Sequence, residues 1–237
     1  MEKKWEEMSA EERRDSRFGT WLSPKDAHGE DIQFQSPEAE ASYKATIARF
    51  KDALHLKKTP DRVPLLPMGT FMATDLYGVK PGEVMYNPEK LVATCKKYLE
   101  DYAPDFYLSP ALVGTGKCFE LLDYKQYRWP GHGVPENSIY QCNEGEYMLA
   151  EDYQALIDDP TDFWLRTYLP RVFGALEPLK MIPPFTELWE MPIIPGNMVP
   201  FGIPDVQNAL KALIDAGSEA MAWIQHIAGF ETEAKSM

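Results

Sequence analysis

His132 stands between two glycines in the stretch Arg128-Trp-Pro-Gly-His-Gly-Val-Pro-Glu136, and further along Glu144 and Glu146 flank Gly145. An imidazole of ordinary pKa, about 6.5, exchanges protons near neutrality and so suits general acid and base work. Glu144 and Glu146 would polarise it or bind a cation. Tyr124, Tyr127, Trp129, Tyr140 and Tyr147 crowd the same region, and so many aromatic rings are costly to leave exposed together. Two readings stand. One is a solvated Gly/Pro-rich loop with a histidine at its turn. The other is the cover of a polar site, with His132, Glu144 and Glu146 as its catalytic groups and Trp129 and Tyr140 against a substrate.

Other chemistry-bearing types are less well spaced. Cys95, Cys118 and Cys142 form no CxxC pair, and His132 with Cys142 ten residues later is a poor metal signature. Free thiols in a reducing compartment account for them, which gives no metal ligands within this sequence. Gly114-Thr-Gly116-Lys117 lacks the GxxxxGK[ST] spacing of a phosphate loop. Asp158, Asp159 and Asp162 sit at a helix boundary, where acids favour the following N-terminus.

The chain has 237 residues, 44% of them hydrophobic, so it has material for a core, as one large domain or two small ones. Its 37 acids against 24 bases give a net charge of −13. Such a surface repels phosphate backbones and anionic lipid, so neither nucleic acid nor membrane is expected as a partner. The charged start, Met1-Glu-Lys-Lys-Trp5, is no secretory signal, and no apolar run approaches the ~20 residues that span a bilayer. The expected location is the cytoplasm.

The elements that must position these residues come next. Residues 1–35 read as a charged arm with one short helix, ending in turn-formers around 26–31. Ser36-Pro37 announces a helix whose apolar stripe is Tyr43, Ile47, Phe50 and Leu54. Val63–Pro67 then reads as a short buried strand bounded by prolines. Asn87-Pro88 opens a second helix, with Leu91, Val92, Cys95, Tyr98, Leu99 and Tyr102 as its stripe, and Asp105–Ser109 reads as a second strand. Helix, strand, helix, strand is the order of βαβ units, an α/β pattern. Residues 110–150 carry at most a helix near 117–122 and short strands. Helices follow at 151–158 and 161–176, an extended proline-rich connection at 177–204, and a last helix from Pro204-Asp205 with Val206, Leu210, Leu213, Ile214, Met221, Ile224 and Ile227 as its stripe.

The segment Arg49–Pro67, containing Pro60-Asp-Arg-Val-Pro64, resembles the opening of the uroporphyrinogen decarboxylase-like superfamily. So does Tyr86-Asn-Pro-Glu-Lys90 leading to Pro104-Asp105. The resemblance is good over residues 40–110 and implies the N-terminal portion of a TIM-type (β/α)8 barrel over 36–237, helix-rich and incomplete, with a long insertion at 110–204. In such barrels chemistry occurs where the strands end, which directs attention to Met68 and Phe71 after the first and Ser109 after the second as substrate contacts. Ordinary core packing is the other reading of Met68, Phe71 and Met72. Where decarboxylases of the family carry an arginine-rich motif, this chain reads Met68-Gly-Thr-Phe-Met-Ala-Thr-Asp75 without arginine. The resemblance therefore implies the methyltransferase branch: a component of corrinoid-dependent demethylation acting on a small molecule, with the corrinoid carried on a partner protein and zinc held in a C-terminal half beyond this sequence. A decarboxylase of another acid and a non-catalytic, helix-rich binding subunit stay open, as does self-association into an oligomer.

Overall fold

The computed structural model describes residues 3–25 and 29–236. The chain is 62% helical with one small three-stranded sheet, and it divides into two units. The first comprises residues 1–70, 95–109 and 227–237, and the second residues 71–94 and 110–226. Of the turn expected at 26–31, residues 26–28 lie outside the described ones.

In the first unit, helix α1 (Ala10–Leu22) begins at a capping box. The Ser9 hydroxyl accepts from the Glu12 N–H, and the Glu12 carboxylate accepts from the Ser9 N–H at 2.8 Å. Phe18 is the buried residue of α1, and its ring meets His55 edge-on at 5.3 Å, so the charged arm is anchored by one aromatic side chain. Helix α2 (Pro37–His55) starts where the sequence announces it. Ser36 Oγ caps the Ala39 N–H at 3.1 Å, Pro37 takes the first turn, and Leu56 in the left-handed region ends the helix.

The buried residue of α2 is Arg49, while Leu54 of the expected apolar stripe is 57% exposed. Arg49 is tolerated inside because two carboxylates meet it. Asp61 takes its Nε and Nη2 at 2.7 and 2.8 Å, and Asp105 takes Nη1. Asp105, whose side chain is 1% exposed, also accepts from Arg62 Nη2 at 2.8 Å and from the Leu65 N–H at 2.8 Å. This cluster corrects the expected strands. Neither 63–67 nor 105–109 is a strand. Pro64 and Pro67 have no N–H to give a ladder, and the N–H of Leu65 between them goes to a carboxylate instead.

In the second unit, short helices α3 (Met72–Leu76) and α4 (Pro81–Val84) precede Asn87, whose side chain caps the Lys90 N–H at 2.8 Å as helix α5 (Pro88–Tyr102) begins. Helix α6 (Gly116–Leu122) lies where a helix was expected near 117–122. The sheet follows, in the order β2-β1-β3: β1 (Tyr127–Pro130), β2 (Gly133–Val134) and β3 (Gln141–Cys142). β3 runs antiparallel to β1, with Tyr127 opposite Cys142. Helices α7 (Asp152–Asp158), α8 (Pro160–Phe163) and α9 (Leu169–Val172) come next, with a π-helical turn at Trp164–Tyr168. Pro170 is carried at the start of α9, where its missing N–H costs little.

The 177–204 connection departs from the extended path expected of it. It forms short helical segments: the end of a 3-10 helix over Gly174–Met181, with Pro178 inside it, and α10 (Ile194–Met198) and Val199–Gly202, each with a proline in its first turn, where the missing N–H costs little. Leu176 and Leu179 of the first segment pack with Ala209 of the last helix, α11 (Pro204–Ser236), as a core covered by Leu122, Leu165, Leu169 and Phe173. Ile214, Met221 and Ile224 of the expected α11 stripe are exposed, whereas Val206 and Ile227 are buried. No helix among the described residues is long and apolar enough to cross a membrane.

Candidate functional site

His132 occupies the tip of a tight turn. The Trp129 N–H donates to the His132 carbonyl at 3.1 Å, and the His132 N–H donates back to the Trp129 carbonyl at 2.7 Å. Gly131 and Gly133 take φ of +81° and +83° on either side, values that only glycine adopts readily. The turn is tied to α4 by Gly82, whose N–H donates to the Glu136 carbonyl at 3.0 Å. Within it the imidazole stacks on the Trp129 indole, with centroids 4.7 Å apart and planes 19° apart. Trp129 itself is 6% exposed.

The carboxylate that meets His132 is Glu120, at 3.0 Å from Nε2. Glu144 and Glu146, expected in that role, are exposed on the loop after β3 and make no hydrogen bond to His132. The loop path explains this. The Asn143 N–H pairs with the Gln126 carbonyl at 2.8 Å, and the Asn143 side chain donates to the Lys125 carbonyl at 2.7 Å, which holds the chain before Glu144 on β1 at the end away from the His132 turn.

Tyr86 joins the two groups. Val84 and Met85, both fully buried, fix the chain just ahead of it, and the Met85 carbonyl accepts from the Gly116 N–H at 3.0 Å. Gly116 and Glu120 are four residues apart on α6 and so share a face. The tyrosine ring lies over Gly116, and its hydroxyl donates to Glu120 Oε1 at 2.7 Å. The Tyr86 hydroxyl oxygen also accepts from Trp129 Nε1 at 3.3 Å and lies 2.9 Å from His132 Nε2. A phenol has one proton, and it goes to Glu120. His132 Nε2 is therefore the protonated ring nitrogen, shared between the phenol oxygen and the carboxylate. Burial, and beyond it Glu120, push the Tyr86 hydroxyl up to about 12, against the indole N–H, which pulls the other way. The Tyr86 hydrogen bond holds the Glu120 carboxyl below its usual range, helped by Lys117 and His132. At neutral pH the unit holds a neutral phenol and a carboxylate beside the His132 ring, open to solvent because Tyr86 is 43% exposed and the His132 side chain 40%.

Tyr86 also forms one wall of a cavity of about 280 Å³ lined by Pro88, Thr115, Lys117, Glu219, Ala222, Trp223 and His226. Thr115, 5% exposed, donates through Oγ1 to Glu219 Oε1 at 3.0 Å.

The remaining expected residues divide between the units. Phe71, 3% exposed, packs edge-on against Tyr140 at 5.0 Å in the second. The Tyr140 hydroxyl is buried without a partner, and burial holds its pKa well above that of a free phenol. Met68 in the first unit is 71% exposed, and Ser109 there donates to Glu231. Of the eight expected residues, the structure brings His132 and Trp129 together at one centre. The sequence reading missed Tyr86 and Glu120. Both lie in segments read for other reasons, Tyr86 before the Asn-Pro helix start and Glu120 within the 117–122 helix. The signal available was the Gly116/Glu120 spacing, which leaves an open helix face beside an acid.

All three cysteines are free, and burial raises Cys95 to about 11. Among the described residues no group of three or more His, Cys, Asp or Glu is placed to hold a metal, so no step is derived through zinc. No protein-family profile, curated protein or solved structure matches the chain.

Proposed function

We propose that the chain is a uroporphyrinogen decarboxylase-like protein of the methyltransferase type, acting in corrinoid-dependent demethylation of a small molecule. The observation that supports it is the Asp105 cluster. The resemblance rests on two separate stretches, one around Pro60-Asp-Arg-Val-Pro64 and one around Pro104-Asp105, and Asp105 binds Arg62, Arg49 and the Leu65 N–H of the first. This clamp joins the two stretches that carry the resemblance, neither of which forms a strand here. The absence of arginine in Met68–Asp75 leaves substrate carboxylates without counter-charges there, which favours methyl transfer over decarboxylation.

In this reading the corrinoid, on its partner protein, supplies the methyl-accepting centre. The chain's own groups act on the donor. Loss of a methyl group leaves an electron pair on the donor heteroatom, and the Tyr86 hydroxyl and His132 Nε2 protons would turn from Glu120 to hydrogen-bond it. The test is to mix the protein with cob(I)alamin and a panel of methyl ethers, thioethers and amines. Donor-dependent loss of the cob(I)alamin absorption, reduced about a hundredfold in His132→Ala, is the expected result. No donor-dependent change across the panel overturns the proposal.

A further inference from the structure

Lys117, Glu219 and His226 line the cavity beside Tyr86, and two of them have a carboxylate at hand. Lys117 Nζ lies 3.5 Å from Glu120, and His226 Nδ1 lies 3.6 Å from Glu89. Glu219 is held by the Thr115 hydroxyl at 3.0 Å, and among the described residues no cationic side chain pairs with it. A carboxylate held in position by a hydroxyl, with no cationic partner, keeps an acceptor free for a bound cation. The rest of the lining suits the hydrocarbon part of such a ligand: the rings of Tyr86 and Trp223, with Pro88 and Ala222, while the Trp223 indole N–H is buried without a partner. Aromatic walls beside a carboxylate attract organic cations through the ring quadrupole as well. At about 280 Å³ the space lies at the small end of the roughly 300–1,000 Å³ usual for ligand sites.

We propose that this cavity binds a small organic cation, its ammonium group against Glu219 and its hydrocarbon part against Tyr86 and Trp223. An anion is the poorer occupant. It would have to compete with Glu120 for Lys117 and with Glu89 for His226, and it would meet Glu219 unscreened. The site shares Tyr86 with the His132–Glu120 unit, so the ligand would lie next to that unit's protons. The inference does not rest on methyl transfer.

The test uses three probes of similar size that differ in charge: phenethylammonium, 2-phenylethanol and 3-phenylpropanoate. Each is titrated calorimetrically into the full chain. Phenethylammonium is expected to bind saturably, with the other two weaker by about tenfold or more. Glu219→Gln, which keeps an acceptor for Thr115, should weaken phenethylammonium by a similar factor and leave 2-phenylethanol unchanged. Ala222→Phe, at an exposed helix position, should fill the cavity and weaken binding without loss of fold by circular dichroism. The proposal is overturned by equal binding of the three probes, by preference for the carboxylate, by unaltered affinity in Glu219→Gln, or by no saturable binding of phenethylammonium. The readout is binding alone, so failure of the methyl-transfer assay leaves it intact.

Discussion

The Tyr86 hydroxyl stands 2.7 Å from Glu120 Oε1, and it reaches that oxygen only because residue 116 has no side chain. A Cβ on Gly116 would lie 2.4 Å from the tyrosine Cζ. One glycine thus decides whether a phenol, a carboxylate and an imidazole form a single hydrogen-bonded unit.

Tyr86→Phe and Gly116→Ala should therefore fail in the same way. The first removes the acceptor of the Trp129 indole N–H, and the second displaces the ring that carries it. Loss of a partner for a mostly buried donor costs about 1–3 kcal/mol, and 1 kcal/mol lowers the melting temperature of a chain this size by roughly 2–4 °C. The double variant should be no less stable than the worse single variant, because both break one contact. Thermal melts of the four proteins check this, and additive losses would show that Gly116 acts elsewhere.

Alkaline titration reports on the same unit. Burial and Glu120 hold Tyr86 protonated up to about 12 in the folded chain, against about 10 when unfolded. The folded state therefore binds the proton more tightly. The stability this contributes is fully present below about 10 and is lost as pH rises from about 10 to about 12. Difference absorbance between the native chain and Tyr86→Phe isolates this phenol from the other tyrosines. In a Glu120→Gln background its midpoint should fall, because a carboxylate beside a phenolate is removed. An unmoved midpoint would place the cause in burial alone.

The sequence made the helices legible and left the centre mostly obscure, for physical reasons. Ser36-Pro37 and Asn87-Pro88 are local signals, read from capping chemistry that needs no knowledge of the rest of the chain. The apolar pattern of Val63–Pro67 is equally local, but a strand exists only with a partner, and here Asp105 takes the N–H that a partner would have used. His132 was legible because glycines flank it. Its true partners lie 12 and 46 residues away in sequence, and no spacing rule connects them. Glu144 stands as far from His132 in sequence as Glu120 does, on the other side, and yet does not meet it; nor does Glu146.

The Asp105 cluster should dominate the acid side of stability. Burial raises the Asp105 carboxyl, but the Leu65 N–H, Arg62 and Arg49 outweigh it, and its net pKa lies below the ordinary value. A folded pKa below the unfolded one means that this stability is present above about 4 and is lost as pH falls through the folded value. Asp105→Asn keeps the shape but leaves Arg62 with a neutral partner and Arg49 with Asp61 as its one carboxylate. Breaking a buried pair on one side costs about 3 kcal/mol or more, so chemical denaturation should show a large loss at neutral pH, and most of the difference from the native chain should vanish in acid. Equal loss at both pH values would point to packing and away from charge.

Tyr140 separates a substrate contact from a core residue. Its ring packs against Phe71 at 5.0 Å, and its hydroxyl is buried with no hydrogen-bond partner. A polar group desolvated without compensation opposes folding, and its removal at constant shape is neutral or stabilising. Tyr140→Phe keeps the ring contact and deletes only the oxygen. Its melting temperature should equal or exceed that of the native chain, by the equivalent of up to about 1 kcal/mol. Its affinity for phenethylammonium should be unchanged, because Tyr140 does not line the cavity beside Tyr86. A destabilised variant would mean that the hydroxyl has a partner in solution, and a buried water would be the first to look for by its hydrogen-exchange and relaxation signature.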